Sequence, residues 1–492
     1  MFDQSAAPLP QTHIEDTPVT DRIETDICII GAGAGGLSVA AGAAQMGARV
    51  VLLEGHKMGG DCLNYGCVPS KALIAAGKQA HAMGAGQSLG VAPVMAQVDY
   101  GTAKDHVAQA IATIAPHDSQ ERFEGFGIKV IREYGRFISK TEVQAGDTVI
   151  TARRFVIATG SGPFVPPIPG LDTVPHYTNE TIFDLRTQPT HLIIIGGGVI
   201  GMEMAQAHIR LGCRVTVLEG ELALGREDPE MAGLVLDTLR AEGVEIVEGA
   251  QVAAVSGSEG DIRISTEDGR SFEGSHLLVA VGRKVHIDKL DLGKAGIAHD
   301  RAVKVDDRLR SVTNKRVFAI GDAAGGPQFT HVAGYHAGVV VRSAVLGMGW
   351  AKASTDHLPY ATFTDPEMAQ VGLTEAQARK KYGKRLDVVR ARFDDLDRAV
   401  TDGKTRGLVK VMVVKGRPVG ASIVGPQAGE LIAMWSMAIA NKMKMSAISA
   451  TVLPYPTLMD VNKRAASAYF SPKLFENPTV KRVVGLVQRW LP

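Results

Sequence analysis

The residues best suited to chemistry form the string Gly59-Gly60-Asp61-Cys62-Leu63-Asn64-Tyr65-Gly66-Cys67-Val68-Pro69-Ser70-Lys71. Two cysteines stand five positions apart among glycines, ahead of an apolar, alanine-rich helical pattern that is expected to run on through residues 72–120. On a regular α-helix, Cα atoms at i and i+5 lie roughly 8–9 Å apart, whereas a disulfide needs less than about 7 Å. Closure of a Cys62–Cys67 bond therefore demands a break in the helix, and Gly66 is the residue that tolerates one. Pro69 suits the first turn of the helix beyond, where its missing N–H has no partner to lose. Cys67 is thereby placed near a helix N-terminus, with Lys71 one turn further on. The positive end of the helix dipole and the ammonium both favour a thiolate there. This is the pattern of a dithiol that opens and closes.

The elements around the dithiol repeat one design. Asp26–Ile30 reads as a short strand running into Gly31-Ala32-Gly33-Ala34-Gly35-Gly36. A helix pattern follows to about Met46, and a second strand, Arg49–Leu53, ends at Glu54. Strand, glycine turn, helix, strand and acid in this order form a dinucleotide fingerprint. Gly31, Gly33 and Gly36 let the backbone turn and approach a pyrophosphate, helix N–H groups meet it, and Glu54 accepts from ribose hydroxyls. The series returns at His191–Ile195, with Gly196, Gly198 and Gly201, a helix pattern, and Arg214–Leu218 ending at Glu219. From Gly31 to Glu54 and from Gly196 to Glu219 the separation is 23 positions, and both copies end in Arg-Val-x-x-Leu-Glu-Gly. Two dinucleotide folds on either side of a dithiol make an electron-transfer arrangement, nicotinamide to flavin to disulfide. Glu219 favours the free 2′-hydroxyl of NAD over a 2′-phosphate. Glu221 adds to that repulsion, with Arg226 the cation that could reach back, so NADH is favoured as the form of NAD(P)H.

The string Gly59–Lys71 resembles, at every fixed position of G-G-x-C-x-N-x-G-C-x-P-S-K, the active-site signature of the class I flavin-dependent pyridine nucleotide–disulfide oxidoreductases. That family includes dihydrolipoamide dehydrogenase, glutathione reductase and mercuric reductase. The resemblance implies FAD on the first dinucleotide fold and NAD(P)H on the second. It implies Cys62 as the interchange thiol, Cys67 as the sulfur facing the flavin, and Lys71 paired with Glu203 beside it. Val317–Ile320 followed by Gly321-Asp322 resembles the second flavin motif, whose aspartate holds the ribityl chain. Gln328-Phe329-Thr330-His331 follows at the family's spacing for backbone contacts to the flavin. A turn at Gly135 and the small-residue turn Thr159-Gly160-Ser161 complete the expected FAD contacts, and Gly282 those to NAD.

The fold class expected is α/β, with two Rossmann-like domains and an α+β C-terminal dimerisation domain. Residues 1–24 are expected as a flexible tail, 25–165 with 285–355 as the FAD-binding domain, and 166–284 as the NAD(P)-binding domain. Residues 356–470 resemble the dimerisation domain, implying a homodimer in which each active site is completed by the partner. Most disulfide reductases of the family carry His-Pro-x-x-x-Glu there, with the histidine as acid–base. This chain has Tyr455-Pro456-Thr457-Leu458-Met459-Asp460. A phenol titrates near about 10 and an imidazole near about 6.5, so Tyr455 is a poor proton shuttle at neutral pH. Mercuric reductases resemble the chain here, but usually add a C-terminal cysteine pair, and no cysteine follows Cys213. Tyr455 and Asp460 are expected to shape the substrate pocket.

The activity expected is FAD-dependent oxidation of NAD(P)H, with electrons passing through Cys62–Cys67 to a small-molecule disulfide or a soft-metal acceptor. Dihydrolipoyl dehydrogenase is the alternative within the class. A slow-turnover, redox-responsive flavoprotein acting through a binding partner is the alternative outside it. Lysine plus arginine (53) against aspartate plus glutamate (52) leave a net charge of +1, so nothing global points to nucleic acid. Four cysteines in 492 residues are no disulfide framework and suit a reducing compartment. Cys28 and Cys213 read as structural, and no resident metal site is expected. With no apolar run of signal-peptide or membrane-span length, a cytoplasmic location is expected. Residues 471–492 read as a C-terminal amphipathic extension. Asn477-Pro478 opens a helix that sets Val480, Val483, Val484, Val487 and Leu491 away from Lys481, Arg482 and Arg489. Packing on the dimer and contact with a membrane surface or a partner both suit residues 477–491.

Overall fold

The computed structural model describes residues 21–491, laid out on three sheet systems. The first is parallel at its centre, with strands Lys129–Ile131, Val50–Leu53, Asp21–Ile30 and Thr148–Ile157 side by side. One edge of Thr148–Ile157 is shared. Its first half pairs antiparallel with Glu142–Ala145, and its last three residues pair parallel with Val317–Ala319. Ile27–Ile30 and Val50–Leu53 are buried at every position, as strands covered on both faces must be. The first strand begins at Asp21, so residues 21–24 belong to the sheet and not to a tail. Their backbone runs alongside Thr148–Thr151, and the ladder orders a stretch whose side chains are largely exposed. Residues 1–20 of the expected tail lie outside the described residues.

The second sheet repeats the parallel design with Glu245–Val247, Arg214–Leu218, His191–Ile195 and His276–Val279. An antiparallel meander, Val252–Ser258, Asp261–Thr266 and Ser271–Gly274, lies against it. The chain crosses between the first and second sheets twice, and the two crossings pair as a ribbon, Ser161–Pro163 with Arg283–Val285. The third sheet is antiparallel, in the order Pro359–Thr362, Glu367–Gly372, Arg417–Gly425, Leu408–Val414, Leu386–Arg392. Its core holds Trp435 and Phe393, and the Trp435 indole N–H donates to Asn462 at 2.8 Å.

Two buried charge clusters tie the second sheet's layer to the third. Arg210 pairs with Glu242 at 2.6 Å and with Asp365 at 3.1 Å. The Lys410 ammonium, 3 % exposed, meets Asp228, Glu230 and Glu375 within 3.0 Å. The helical stretch expected over residues 72–120 is instead three helices, Cys67–Gly84, Tyr100–Ile114 and Gln120–Gly125, with a segment outside regular helix and strand over residues 91–99 before the second. Asp99 opens the second by accepting from the Thr102 N–H, a capping signal in the sequence. Among the described residues no helix is long and apolar enough to cross a membrane.

Candidate functional site

The dithiol sits at a break between two helices. Gly60–Asn64 is a single turn, Tyr65 and Gly66 leave helical geometry, and Cys67–Gly84 begins anew. Gly66 has a negative φ, and what demands glycine is space, since a Cβ there would meet the Asp61 carboxylate at 2.9 Å. Asn64 pins the turn by donating to the carbonyls of Met58 and Gly60 at 3.0 and 2.8 Å. No disulfide joins the two cysteines in this structure, which holds the pair in its reduced form. The Cys67 sulfur lies 3.3 Å from the Thr330 hydroxyl. Its thiol is drawn down to about 6, first by hydrogen bonding with Cys62, then by Thr330 and the Lys71 charge. Cys62 is pushed up, chiefly as the other member of that bond and by burial. The pair is thus asymmetric, with the charge on Cys67 and the proton on Cys62. Cys62 also opens onto a pocket of about 360 Å³ shared with Ser38, Gln45, His117, Asp118 and Arg122. Cys28 and Cys213 are buried, with Cys213 pushed up to about 12 by burial, and neither has a partner thiol.

The two glycine turns superimpose in their constraints. Gly31 has φ +105° and Gly196 φ +111°, and a Cβ on either would strike a facing carbonyl oxygen, of Ala158 or Ala280, at 2.5 Å. A Cβ on Gly36 or Gly201 would lie within 2.0 Å of the first glycine's carbonyl oxygen. Gly33 and Gly198 differ. A Cβ on Gly33 would meet its first neighbour at 3.9 Å, and one on Gly198 would meet nothing within 4 Å. Internal packing does not require glycine there, but close approach of a pyrophosphate to a helix N-terminus does. The acids match too. Glu54 accepts from the N–H groups of Ala32 and His56, at 2.7 and 2.8 Å, and Glu219 from those of Gly197 and Glu221, at 2.6 and 2.9 Å. Each carboxylate locks its own turn and retains lone pairs for a ribose.

The chain's own residues therefore fit two dinucleotides. On the first fold, Gly31, Gly33, Gly36 and Glu54 form the cradle. Thr159, at the end of its strand, has a buried hydroxyl without a partner, and Gly160 and Ser161 follow. Ser161 donates to Asp322 at 2.5 Å, and burial raises the Asp322 carboxyl above its ordinary range. Gly321 sits at φ +56° and donates its N–H to His336. Gln328 and Phe329 lead into helix Thr330–Val340, with Phe329 stacked on both His331 and Tyr360. His331 bonds the Pro359 carbonyl at 2.6 Å. Gly135 is not a turn. It opens strand Gly135–Phe137 and is buried against Leu53, which packing, not turning, explains. On the second fold, Gly196, Gly198, Gly201 and Glu219 form the cradle, with Gly282 at φ +149° beside the facing strand end.

Lys71 and Glu203 meet at 2.8 Å between these two cradles. Glu203 is buried, and its second oxygen accepts from the Phe363 N–H at 2.8 Å, while the Lys71 ammonium lies 4.4 Å from the Phe363 ring centre. Sequence reasoning missed a second network. Arg283 pairs with Asp61 at 3.0 Å and donates to the Ser161 hydroxyl at 2.9 Å, and Asn179 donates to Asp61 at 3.2 Å. It clamps the dithiol turn to the ribbon between the sheets. Tyr455 and Asp460 lie elsewhere in the chain, in the third layer. The Tyr455 phenol donates to Asp397 at 2.9 Å, and Arg464 bridges Asp397 and Asp460. The bond to Asp397 and its charge raise the phenol above its usual range.

A dithiol flanked by two dinucleotide cradles defines an oxidoreductase that couples nicotinamide and flavin to sulfur. Residues 25–337 match the family described as pyridine nucleotide-disulphide oxidoreductase, and residues 358–466 match its dimerisation domain. The chain belongs to this family of FAD-dependent, nicotinamide-using enzymes. It is 31% identical to a mercuric reductase of Lysinibacillus sphaericus, over 93% of this chain and 85% of that one. It is 34% identical to the mercuric reductase of Acidithiobacillus ferrooxidans, over 91% and 83%. Among solved structures it resembles the HOCl-induced flavoprotein disulfide reductase RclA of Escherichia coli in a Cu(II) complex, with 30% identity, a TM-score of 0.80 and coverage of 90% and 99%. LpdA of Mycobacterium tuberculosis is 25% identical, with a TM-score of 0.81 and coverage of 91% and 99%.

Proposed function

We propose that the chain takes two electrons from a nicotinamide, NADH in preference, and delivers them from Cys62–Cys67 to a soft metal ion in preference to a small disulfide. The observation that carries this reading is Tyr455. A disulfide acceptor leaves as a thiolate that needs a proton in each cycle. The phenol here is bonded to Asp397 and held above its usual range, so it releases no proton readily at neutral pH. A divalent thiophilic ion takes electrons with no leaving thiolate to protonate. The names of the relatives point the same way, being mercuric reductases and a reductase solved with Cu(II).

FAD, when bound, supplies the two-electron relay between nicotinamide and sulfur. The chain's residues do the rest. Two electrons and one proton, together the hydride that the nicotinamide gives up, open the S–S bond, leaving Cys67 as thiolate and Cys62 as thiol. Cys62 presents its sulfur to the pocket shared with His117 and Arg122. The reduced pair then gives its two electrons to one Hg²⁺, or one electron to each of two Cu²⁺, the S–S bond re-forms, and the thiol proton passes to solvent. The carboxylate of Glu219, fixed in its turn, supports NADH through its repulsion of a 2′-phosphate. We infer further that the protein is a homodimer, since Tyr455 is 74% exposed and Val452 90% on the layer matching the dimerisation domain.

Anaerobic titration with NADH, followed by turnover with Hg²⁺, Cu²⁺, oxidised glutathione and lipoamide, tests the reading. NADH oxidation with one of the ions is expected to exceed that with either disulfide by about a hundredfold, and Cys62→Ser to lose the metal-dependent rate. A disulfide rate equal to the best metal rate would overturn it.

A further inference from the structure

Helix Pro478–Trp490 stands off the body of the chain, with none of its residues buried. Asn477 caps it by accepting from the Thr479 N–H at 2.9 Å, so its start needs nothing from the rest of the fold. At 100° per residue, Val480, Val483, Val484, Leu486, Val487 and Trp490 fall on one arc, with Thr479 of the first turn the one hydroxyl among them. Lys481, Arg482, Gly485, Gln488 and Arg489 fill the other. Leu491 leaves the helix at its end in an extended conformation. No acidic residue lies between Asn477 and Leu491. Among the described residues Lys481, Arg482 and Arg489 form no ion pair, in a chain whose other surface charges pair often. The apolar and polar arcs are sharply separated while the helix as a whole is only weakly hydrophobic. That combination belongs to helices lying in a lipid interface.

We infer that Pro478–Trp490 is a membrane-surface helix. It lies in the headgroup plane of an anionic bilayer with its valine face toward the acyl chains, and it docks the flavoenzyme there. The three cations match lipid phosphates in sign, and an indole 83% exposed at the border of the apolar face suits the headgroup level. This goes beyond the electron-transfer reading and does not depend on it. In a homodimer two such helices act together, so that weak single contacts add.

The FAD-loaded, full-length protein is sedimented with vesicles of phosphatidylcholine alone, or with about a third phosphatidylglycerol, at low and high salt. Binding to the anionic vesicles is expected to exceed binding to neutral ones by about tenfold, and to fall with salt. Val484→Asp with Val487→Asp is expected to abolish it while flavin content and dimer mass stay unchanged. Equal binding to both vesicle types, or binding unaltered by the double variant, overturns the inference. So does dissociation of the dimer by that variant, which would assign the helix to the subunit interface.

Discussion

Cys67 owes its charge to three neighbours, Cys62 and the Lys71 ammonium from its own string and the Thr330 hydroxyl from a distant part of the chain. Its folded value, about 6, lies below that of an ordinary thiol. In the reduced protein the thiolate therefore forms as pH rises through about 6, and the stability this charge contributes is lost as pH falls through the same value. Alkylation of Cys67 by iodoacetamide, followed by mass spectrometry, is expected to show that midpoint. Thr330→Val removes a donor to the thiolate and is expected to move the midpoint up by about one pH unit. An unchanged midpoint would mean that the 3.3 Å contact does not bear on the charge. Cys62, Cys67, Lys71 and Glu203 were legible in the sequence because motif spacing marks them. The sulfur contact of Thr330, and the clamp made by Arg283 and Asn179 on Asp61, were not. They join segments 263 and 118 positions apart, or more, with no local pattern to announce the meeting. Tyr455 was legible as a departure, but its bond to Asp397 depends on how the third layer folds.

At the scale of elements, Lys71 reaches Glu203 only because two helices pack closely. Cys67–Gly84 crosses Val199–Arg210 at Gly77, where a Cβ would meet the Ala207 carbonyl oxygen at 3.2 Å and the Arg210 Cβ at 3.5 Å. A glycine inside a helix ordinarily costs about 1 kcal/mol against alanine, and here it sets the approach distance. Gly77→Val overfills that contact with a branched side chain. It is expected to lower stability by about 2 kcal/mol, read as a fall in Tm, and to weaken the Lys71–Glu203 pair, read as slower reduction by NADH. A variant with unchanged Tm and rate would show that the helices have slack at this crossing. The strand–turn–helix–strand units were readable because the same glycines and acid recur at equal separation, and the structure gives both copies the same clashes and the same carboxylate bonds. The segment 72–120 was read as continuous because its apolar residues keep a helical rhythm. Gly84, Gly86, Gly90 and Pro93 interrupt it, and Asp99 restarts it.

At the scale of the whole molecule, the dithiol and Tyr455 occupy different layers of one chain, and no contact joins them among the described residues. The Lys410 and Arg210 clusters hold the second and third layers together through buried charges whose removal leaves a partner uncompensated, so Tyr455 does not reach Cys62 by a loose hinge. Tyr455 and Val452 are exposed, and in the proposed homodimer a second copy would bring Tyr455 to the other chain's dithiol. Subunit mixing separates the cases. Tyr455→Ala alone is expected to slow metal-dependent turnover by about tenfold through misplacement of the acceptor, and Cys62→Ser alone to abolish it. A mixed dimer of the two variants contains one site with an intact Cys62 from one subunit and an intact Tyr455 from the other. Its turnover is expected to recover to about half that of the wild type, as one working site in two requires. If Tyr455 served its own chain's dithiol, the mixed dimer would hold no intact site and its rate would stay at the level of the Tyr455→Ala subunit.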